Sequence, residues 1–338
     1  MFYRIVSVFL LISLFTVLKA QRGGETMYGL LHLTQSARMA TFGGNQVGMV
    51  GNDVSMLVHN PAMMDSTWSE QISLNYVPYI ADINYGFGGL AWSFSNIGNF
   101  AFGVHHLDYG SFIAAEESGV QTGTFGAGET VIQTSFSRQL SKRWSAGISL
   151  KPVVSKIESY HSWALAGDLG LFYRSTDGLF SFGAALKNCG RQLSAYDSSP
   201  LENLVPDLQF GVSKKLKHAP FRFLLTAQDL LSRSLSYNVL DNSGIAVSSE
   251  EKDSFDKKLL RHLVLGLEFV PSNNFYVGAG VNPRRRQELK VESLTSTVGY
   301  SWGFGLRVYK FNFSYGSTRY HLGATSNYFS VTTNLSSF

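Results

Sequence analysis

The sequence predicts an all-β protein: a membrane-embedded, antiparallel up-and-down β-barrel of about 14 strands, plugged by an N-terminal hatch segment. Three observations predict this fold. The chain starts with an export signal, its composition is poor in charge, and its apolar residues alternate with period two from Trp68 onward. We therefore expect a signal peptide over 1–20, a periplasmic hatch or plug over 21–67, and an outer-membrane barrel over 68–338.

The first twenty residues have the parts of a secretory signal peptide. Arg4 supplies the basic start, an apolar run from Ile5 to Val17 follows, and Leu18-Lys19-Ala20 ends on a small residue. The apolar run is shorter than the roughly 20 residues of a membrane-spanning helix, so a retained anchor is the weaker alternative. We expect cleavage after Ala20.

The composition does not fit an ordinary soluble domain. Hydrophobic residues make up 44% of the chain and charged residues 15%, whereas about 25% charged residues are usual in a soluble domain. No later apolar run is long enough for a spanning helix, and a closed barrel is the other structure that satisfies its backbone in lipid. The net charge falls from +4 to +2 without Arg4 and Lys19, which gives no indication of a nucleic-acid partner.

The alternation separates an aromatic face from a face of small residues. In "TVGYSWGFGLRVY", Trp302 and Phe304 lie on one face, and Gly303 and Gly305 on the other. A soluble sandwich would carry many charges on its second face, whereas the interior of a barrel is polar and narrow. Fourteen segments show this pattern: 68–80, 83–95, 99–110, 126–139, 143–157, 162–174, 179–187, 207–217, 221–231, 261–271, 274–283, 297–308, 310–320 and 326–338.

Two segments are irregular, and the connections sort by length. We expect a bulge at Gly88-Gly89, and Phe338 is out of phase with Phe329 and Val331. The short turns follow even-numbered strands, and the long connections 111–125, 188–206, 232–260 and 284–296 follow odd-numbered ones. Outer-membrane barrels keep short turns in the periplasm. This predicts both termini in the periplasm, extracellular long loops, and pairing of the last strand with the first.

Residues 21–67 lack a strand pattern and are the predicted plug. A barrel of about 14 strands would leak without one. Asp53 is expected to cap a one-turn helix over 54–58, which Asn60-Pro61 would end. The stretch "ARMATFGGNQVGMVGNDVSMLVHNPAMM" resembles the hatch signature of the FadL-like outer-membrane family. The hatch residues matched to that signature are Arg38, Gly43, Gly44, Asp53, Asn60, Pro61 and Ala62.

The stretch "GGETMYGLLHLTQSARMATFGG" is most similar to the branch of this family that serves the type IX secretion system of Bacteroidetes. The resemblance implies a non-enzymatic scaffold of the attachment complex, with PorZ as direct partner and PorU and PorV as further components. It also implies contact with outer-membrane lipid and lipopolysaccharide. The alternative is a FadL-like transporter of hydrophobic small molecules, with Phe42, Met49, Met56, Leu57 and Met63 either lining a pocket or packing the plug against the wall.

Catalytic, cofactor and metal sites have little support in the sequence, and we expect none. His105 and His106 are adjacent on a strand and point to opposite faces, so they cannot share a metal. Asp168 and Glu268 are expected to line the lumen and to pair there with Lys151 or Arg307. The lone Cys189 is expected at the start of a long loop, without an assigned role.

Two loops are candidate partner contacts. The run Arg284-Arg285-Arg286 can be a rim that binds lipopolysaccharide phosphates or a docking point for a partner. The loop 232–260, with Glu250, Glu251 and Lys252, is either disordered or a protein-contact surface.

Overall fold

The chain forms a closed barrel of fourteen antiparallel strands with the preceding segment inside it. The computed structural model describes residues 27–80, 82–232, 238–240, 246–248, 254–289, 297–321 and 324–338. The signal peptide therefore lies outside the described residues. None of the helices in the described ranges has the length and apolar character needed to cross a membrane.

The predicted barrel and its strand number are confirmed. The barrel strands are β1 Gln71–Pro78, β2 Asn84–Phe94, β3 Gly98–Ala115, β4 Gln121–Gln139, β5 Trp144–Ile157, β6 Tyr160–Arg174, β7 Phe180–Ser194, β8 Asp207–Lys215, β9 Phe221–Ala227, β12 Leu263–Ser272, β13 Phe275–Val281, β14 Tyr300–Val308, β15 Phe311–His321 and β16 Ala324–Asn334. A separate hairpin contains β10 Asn238–Leu240 and β11 Ala246–Ser248.

The helices are short. They are α1 Ala37–Thr41, α2 Phe255–Arg261 and α3 Pro283–Leu289, together with 3₁₀ helices Gly29–His32, Val54–Val58, Pro61–Met63, Ser66–Trp68 and Leu335–Ser337. As predicted, the Asp53 side chain accepts a hydrogen bond from the Ser55 backbone N–H and caps the helix Val54–Val58. Asn60 caps the next 3₁₀ helix by accepting from the Ala62 N–H.

Pairing of β1 with β16 closes the barrel. The register runs from Gln71 opposite Asn334 to Tyr76 opposite Phe329. Closure leaves no strand edge of the barrel unpaired, which a β-structure in lipid requires. The last strand therefore pairs with the first, as the sequence predicts.

The two faces of the strands differ in exposure. In β14, Trp302 and Phe304 are exposed, whereas Ser301 and Gly303 are buried. The exposed face continues around the barrel as an apolar band, because β3, β5 and β15 also expose Phe or Leu side chains. An apolar outer face of this kind is stable in lipid and costly in water.

The barrel has two unlike ends. The turn end carries the short turns 95–97, 140–143, 175–179, 216–220, 273–274 and 309–310. The described connections at the loop end are 79–80, 82–83, 116–120, 158–159, 195–206, 228–232, 254–262, 282–289 and 297–299. The predicted loop 111–125 is wrong: β3 and β4 extend through Ala115 and Gln121 and are paired almost to the tip, with a bulge beside Gly110.

Two further strand predictions are wrong. Trp68 belongs to a 3₁₀ helix that precedes β1, and its side chain is fully buried. Its Nε1–H donates to the carbonyl of Gly51, inside the barrel. No bulge occurs at Gly88-Gly89, where pairing with both neighbouring strands is continuous. The phase change there arises because Tyr85 and Phe87 point inward, whereas Leu90 and Trp92 point outward.

The position of Phe338 explains why it is out of phase with Phe329 and Val331. β16 ends at Asn334, and a 3₁₀ helix follows, so Phe338 is not part of the strand. Its ring lies 5.9 Å from that of Phe311 and 4.3 Å from Nζ of Lys310. Phe338 therefore packs beside the β14–β15 turn.

Candidate functional site

The candidate site is the lumen, together with the segment 27–70 that occupies it, which we call the plug. The plug begins near the loop end, where the Tyr28 hydroxyl bonds Ser162 and the Leu30 N–H donates to Glu129 over 2.9 Å. It finishes at the turn end, where the Glu70 N–H donates to the Ala91 carbonyl. The described chain thus passes through the whole lumen before β1 starts.

This path bears on the predicted position of the termini. Met27, the first described residue, is near the loop end, whereas Phe338 is at the turn end. The first described residue and the last residue thus lie at opposite ends of the barrel, and the periplasmic position of both termini stays a prediction. Residues 1–26 lie outside the described range.

Glycines on the barrel wall allow the plug to dock backbone against backbone. A Cβ at Gly147 would lie 2.6 Å from the Ala62 nitrogen, and one at Gly211 would lie 2.8 Å from the Gly48 nitrogen. A Cβ at Gly183 would collide with the Val47 carbonyl. Atoms this close cannot coexist, so side chains at these three positions would displace the plug. We call these three wall glycines, against which the plug backbone packs, the glycine seats.

Asn60, in the Asn-Pro-Ala motif, ties the plug to two wall strands. Its Nδ2 donates to the Val47 carbonyl at 3.1 Å and to the Leu171 carbonyl of β6 at 3.2 Å. A weaker contact of 3.4 Å reaches the Ala184 carbonyl of β7. Asn60 is fully buried, and Gly170 leaves room for its Oδ1. This one side-chain amide thereby donates both to a carbonyl of the plug and to carbonyls of the barrel wall.

Arg38 of the plug is held by a buried ion cluster. Its Nη2 lies 2.7 Å from Oε1 of Glu268 on β12, and Nη1 of Arg222 on β9 lies 2.8 Å from the other carboxylate oxygen. The Arg38 guanidinium also stacks 4.8 Å from the Tyr276 ring centre. Glu268 is fully buried, so its charge depends on these two arginines.

Asp53 joins the plug to β1. Its Oδ1 accepts from the Ser73 hydroxyl at 2.9 Å and from the Ser55 N–H at 2.9 Å. The backbone N–H of Val54 donates to the Gln71 side chain. The remaining hatch residues Gly43 and Gly44 both have positive φ, and the Gly43 N–H donates to the Ser301 hydroxyl of β14.

Lys151 and Asp168 form the second lumen ion pair. Nζ of Lys151 lies 2.6 Å from Oδ1 of Asp168, and both side chains are almost fully buried. Asn188 completes the group: its N–H donates to Asp168, and its Oδ1 accepts from Lys151 at 2.6 Å. Asn188 has a φ of 58° and sits at a bulge of β7. Its Nδ2 also makes a long contact of 3.4 Å with the Leu31 carbonyl of the plug.

Arg307 does not join Glu268. It is exposed at the turn end, two residues from the β14–β15 turn, while Glu268 is neutralised by Arg38 and Arg222. Arg222 could not be selected from sequence, since its partner Glu268 becomes apparent only when β9 and β12 pair in the barrel.

The three consecutive arginines are engaged within the chain. Arg284 pairs with Asp229 at 2.8 Å and with Glu288 at 2.7 Å. Arg285 stacks 4.7 Å from the Tyr320 ring centre, and Arg286 stacks 5.0 Å from that of Tyr300. All three are half-buried, so the run is not a free rim. The three arginines lie on helix α3, which directs their side chains toward the barrel. The sequence predicted a loop here, and a loop does not define the direction of its side chains.

Arg285 enters a cluster of tyrosines at the loop end. Tyr79 stacks edge-on against Tyr85 and Tyr320, at centroid distances of 5.6 Å and 5.1 Å. The hydroxyls of Tyr320 and Tyr328 are 2.9 Å apart. The predicted contacts Glu250, Glu251 and Lys252 lie outside the described residues.

The five apolar plug residues are packed against the wall. Phe42, Met49, Met56 and Leu57 are fully buried, and Met63 is 5% exposed. Phe42 lies against Gly266, Gly278 and Gly280, where larger residues would collide with it. Of the cavities found in the described part of the chain, a recess at the turn end touches Met63. The packing interpretation of these residues fits better than the pocket.

The histidine and cysteine positions offer no catalytic grouping. His105 is buried beside Gln133, and His106 is exposed on the opposite face, as the strand predicts. Cys189 lies within β7 and is exposed on the outer face, so its predicted position in a loop is wrong. Within the described residues, no group of three or more His, Cys, Asp and Glu side chains is arranged to hold a metal ion.

His59 is a buried polar residue that the sequence did not single out. Its Nδ1 lies 3.2 Å from Oδ1 of Asn45, whose amide nitrogen donates to Gln228. Burial, and next the charge of Lys187, hold the pKa of His59 well below its usual value. The ring is therefore neutral and donates through Nδ1.

Solved structures similar to this chain include a toluene transporter and a monoaromatic hydrocarbon channel. The toluene transporter TodX of P. putida matches with a TM-score of 0.54 and 12% identity, over 90% of this chain and 99% of that one. The chain has the FadL-type barrel fold. A TodX deltaS2S3 mutant, described as a monoaromatic hydrocarbon channel, gives 0.54 and 13% identity over 89% and 99%.

A Pseudomonas aeruginosa FadL homologue gives a TM-score of 0.50 and 11% identity, over 89% of this chain and 98% of that one. No protein-family model matches the sequence, and no curated protein matches it. At these identities the likeness concerns the fold alone. TodX is a transporter by name, and the FadL-type barrel is an outer-membrane fold.

Proposed function

We propose that this chain is a PorQ-like scaffold of the type IX secretion attachment complex, which anchors PorZ at the cell surface and supports attachment of cargo by PorU and PorV. The observation that carries the proposal is the docked plug. Wall glycines seat its backbone, and Glu268 holds Arg38 in a buried ion cluster. A barrel closed in this way acts by its position in the membrane, without catalysis.

The apolar outer band supplies the anchor. Outward residues such as Phe102, Leu150 and Trp302 are 43–54% exposed and would be unfavourable in water. We infer that lipid covers them, that the turn end faces the periplasm, and that the loop end faces outward, as in other outer-membrane barrels. The loop end would then be the surface offered to PorZ and to lipopolysaccharide.

Helix α2 supplies a better contact candidate than the arginine run. Phe255 is 81% exposed and Leu259 51% exposed on this loop-end helix. Exposed apolar side chains on a water-facing helix are typical of protein contacts. We therefore assign Phe255 and Leu259 to the PorZ contact, and Arg284, Arg285 and Arg286 to support of the loop from within.

Deletion of the chain tests the proposal. PorZ should pass from the cell surface into the medium, and secreted cargo should lose its attachment. Full-length protein should restore retention, whereas Phe255→Glu with Leu259→Glu should restore the barrel but not retention. A matched control is Phe112→Glu, at an exposed residue of the β3–β4 extension. PorZ that stays on cells without the chain would refute the scaffold.

Transport of hydrophobic small molecules is the second candidate, favoured by the fold shared with TodX and the FadL homologue. Toluene uptake by cells with and without the chain separates the two. The scaffold predicts equal uptake. Uptake that requires the chain and is blocked by fixing the plug would favour transport instead.

A further inference from the structure

The turn end contains a recess over the plug. Its volume is about 630 Å³, and it is bounded by plug residues 63–66, the β2–β3 turn, the β4–β5 turn and the end of β6. Its floor includes Met63, Met64 and Phe172, which are 1–7% exposed. The Ser137 hydroxyl donates to the Met64 carbonyl at 2.8 Å, so wall and floor are fixed to each other. We call this recess the turn-end vestibule.

The vestibule is basic. Arg138, Lys142, Arg143 and Arg174 line it, and Asp65 is the carboxylate among its lining residues. Nη1 of Arg174 is 3.9 Å from Asp65, and both side chains are about half exposed, so this pair is weak. Across the described residues, Arg138, Lys142 and Arg143 take part in no ion pair.

Concave geometry strengthens the effect of these charges. A cleft lined by one sign of charge, with low-dielectric walls, concentrates the field and attracts the opposite charge. Arg174 shares the lumen-facing side of β6 with Gly170 and Phe172, and therefore points to the barrel mouth instead of the bilayer. The recess is accordingly open to water at the turn end of the barrel.

We propose that the turn-end vestibule binds an acidic peptide segment of a partner protein. Carboxylates of the segment pair with Lys142, Arg143 and Arg174, while the plug closes the floor. Arginine suits this role because its planar fork pairs with carboxylates bidentately. The partner is periplasmic if the barrel has the orientation given under Proposed function; the binding chemistry does not depend on that orientation.

Binding of a defined probe tests the inference. Full-length protein in neutral detergent is titrated into a fluorescein-labelled octaglutamate peptide, with anisotropy as readout, and an octaglutamine peptide serves as the neutral probe. We expect salt-sensitive binding of octaglutamate alone. Arg143→Glu with Arg174→Glu should weaken it by about tenfold or more.

The control carries the same charge change elsewhere at the turn end. Lys215→Glu with Lys217→Glu lies at the β8–β9 turn, outside the vestibule, and should change affinity by less than about twofold. Equal loss in both double variants would overturn the proposal, as would unchanged binding in both. Displacement of the peptide by phosphatidylglycerol micelles at equal negative charge would assign the surface to lipid instead.

The peptide-binding test is independent of the scaffold proposal. All four substituted positions are exposed or half-exposed, and retention of the folded band in unheated electrophoresis checks the barrel. The vestibule variants leave the loop end unchanged, so PorZ retention should remain at the wild-type level. Loss of peptide binding and loss of PorZ retention therefore report on separate claims.

Discussion

Arg38 on the plug and Glu268 on the barrel wall form an ion pair of 2.7 Å inside the lumen. Arg222 shares the same carboxylate, so one acid compensates two arginines. Such a cluster holds the plug in one register, because any shift would separate buried charges. The ion pair and the glycine seats together make plug and wall a single packed unit.

Glu268→Gln should undock the plug without opening the barrel. Removal of one partner of a buried ion pair costs about 3–5 kcal/mol, since the remaining charges are left uncompensated. We expect trypsin to cleave after Arg38 in the variant and to spare it in the wild type, as read by mass spectrometry. Asp177→Asn, at an exposed turn, is the control. Equal resistance of the variant and the wild type would refute the role of this pair.

Gly183→Ala tests the glycine seats. A methyl group there would collide with the Val47 carbonyl, and overpacking of this kind typically costs about 1–3 kcal/mol. Gly126→Ala is the matched control, because its nearest atom, the Gly110 oxygen, is 3.8 Å away. Thermal unfolding in detergent should show a lower midpoint for Gly183→Ala alone. A drop of the same size in both variants would mean that strand glycines matter for reasons other than the plug.

His59 makes the plug sensitive to acid. Because its pKa in the folded chain lies below the unfolded value of about 6.5, its contribution to stability is present above that pH and is lost as the pH falls below it. His59→Gln should therefore show a smaller decrease in unfolding temperature between pH 8 and pH 5 than the wild type. His106→Gln, at an exposed ring, should behave as the wild type does. A pH dependence that His59→Gln leaves unchanged would contradict this assignment.

Cys189 reports on the lipid-facing band. It pairs with Gly167 in β6, close to the exposed Leu165 and Leu169, and its side chain is exposed on the outer face. In proteoliposomes, a charged maleimide should not modify it, whereas heating in dodecyl sulfate should allow full modification. Ser118→Cys, at the exposed β3–β4 tip, should react in both states. Rapid modification of Cys189 in intact proteoliposomes would show that this face is in water.

The barrel could be predicted from sequence because lipid imposes a strict period on every strand. Large apolar residues alternate with small ones along the strands, as at Trp302 and Gly303. This alternation is regular enough to show which face each residue occupies and how many strands there are. The plug obscured the pattern where it touches the wall. Tyr85 and Phe87 point inward to pack around it, and that inward packing produced the apparent phase change at Gly88-Gly89.

The site was less predictable, because its contacts join residues that are distant in sequence. Asp168 and Lys151 are neighbours on adjacent strands and were found. Arg222 was missed, and Arg284, Arg285 and Arg286 were treated as a free run, since charge alone does not reveal the direction of a loop helix. Closely spaced glycines on the inner face were the available signal for the docking seats.

The most direct test of the account fixes the plug to the wall. Asn45→Cys with Gln228→Cys, in a Cys189→Ser background, replaces a plug side chain and a wall side chain that contact each other. A short bis-methanethiosulfonate cross-linker can join the two thiols through disulfides, and the joined product is the oxidised form. Cells that carry the oxidised form should retain PorZ on their surface as the wild type does, because an anchor needs no moving plug. Release of PorZ in the oxidised form, reversed by a reductant, would contradict the account.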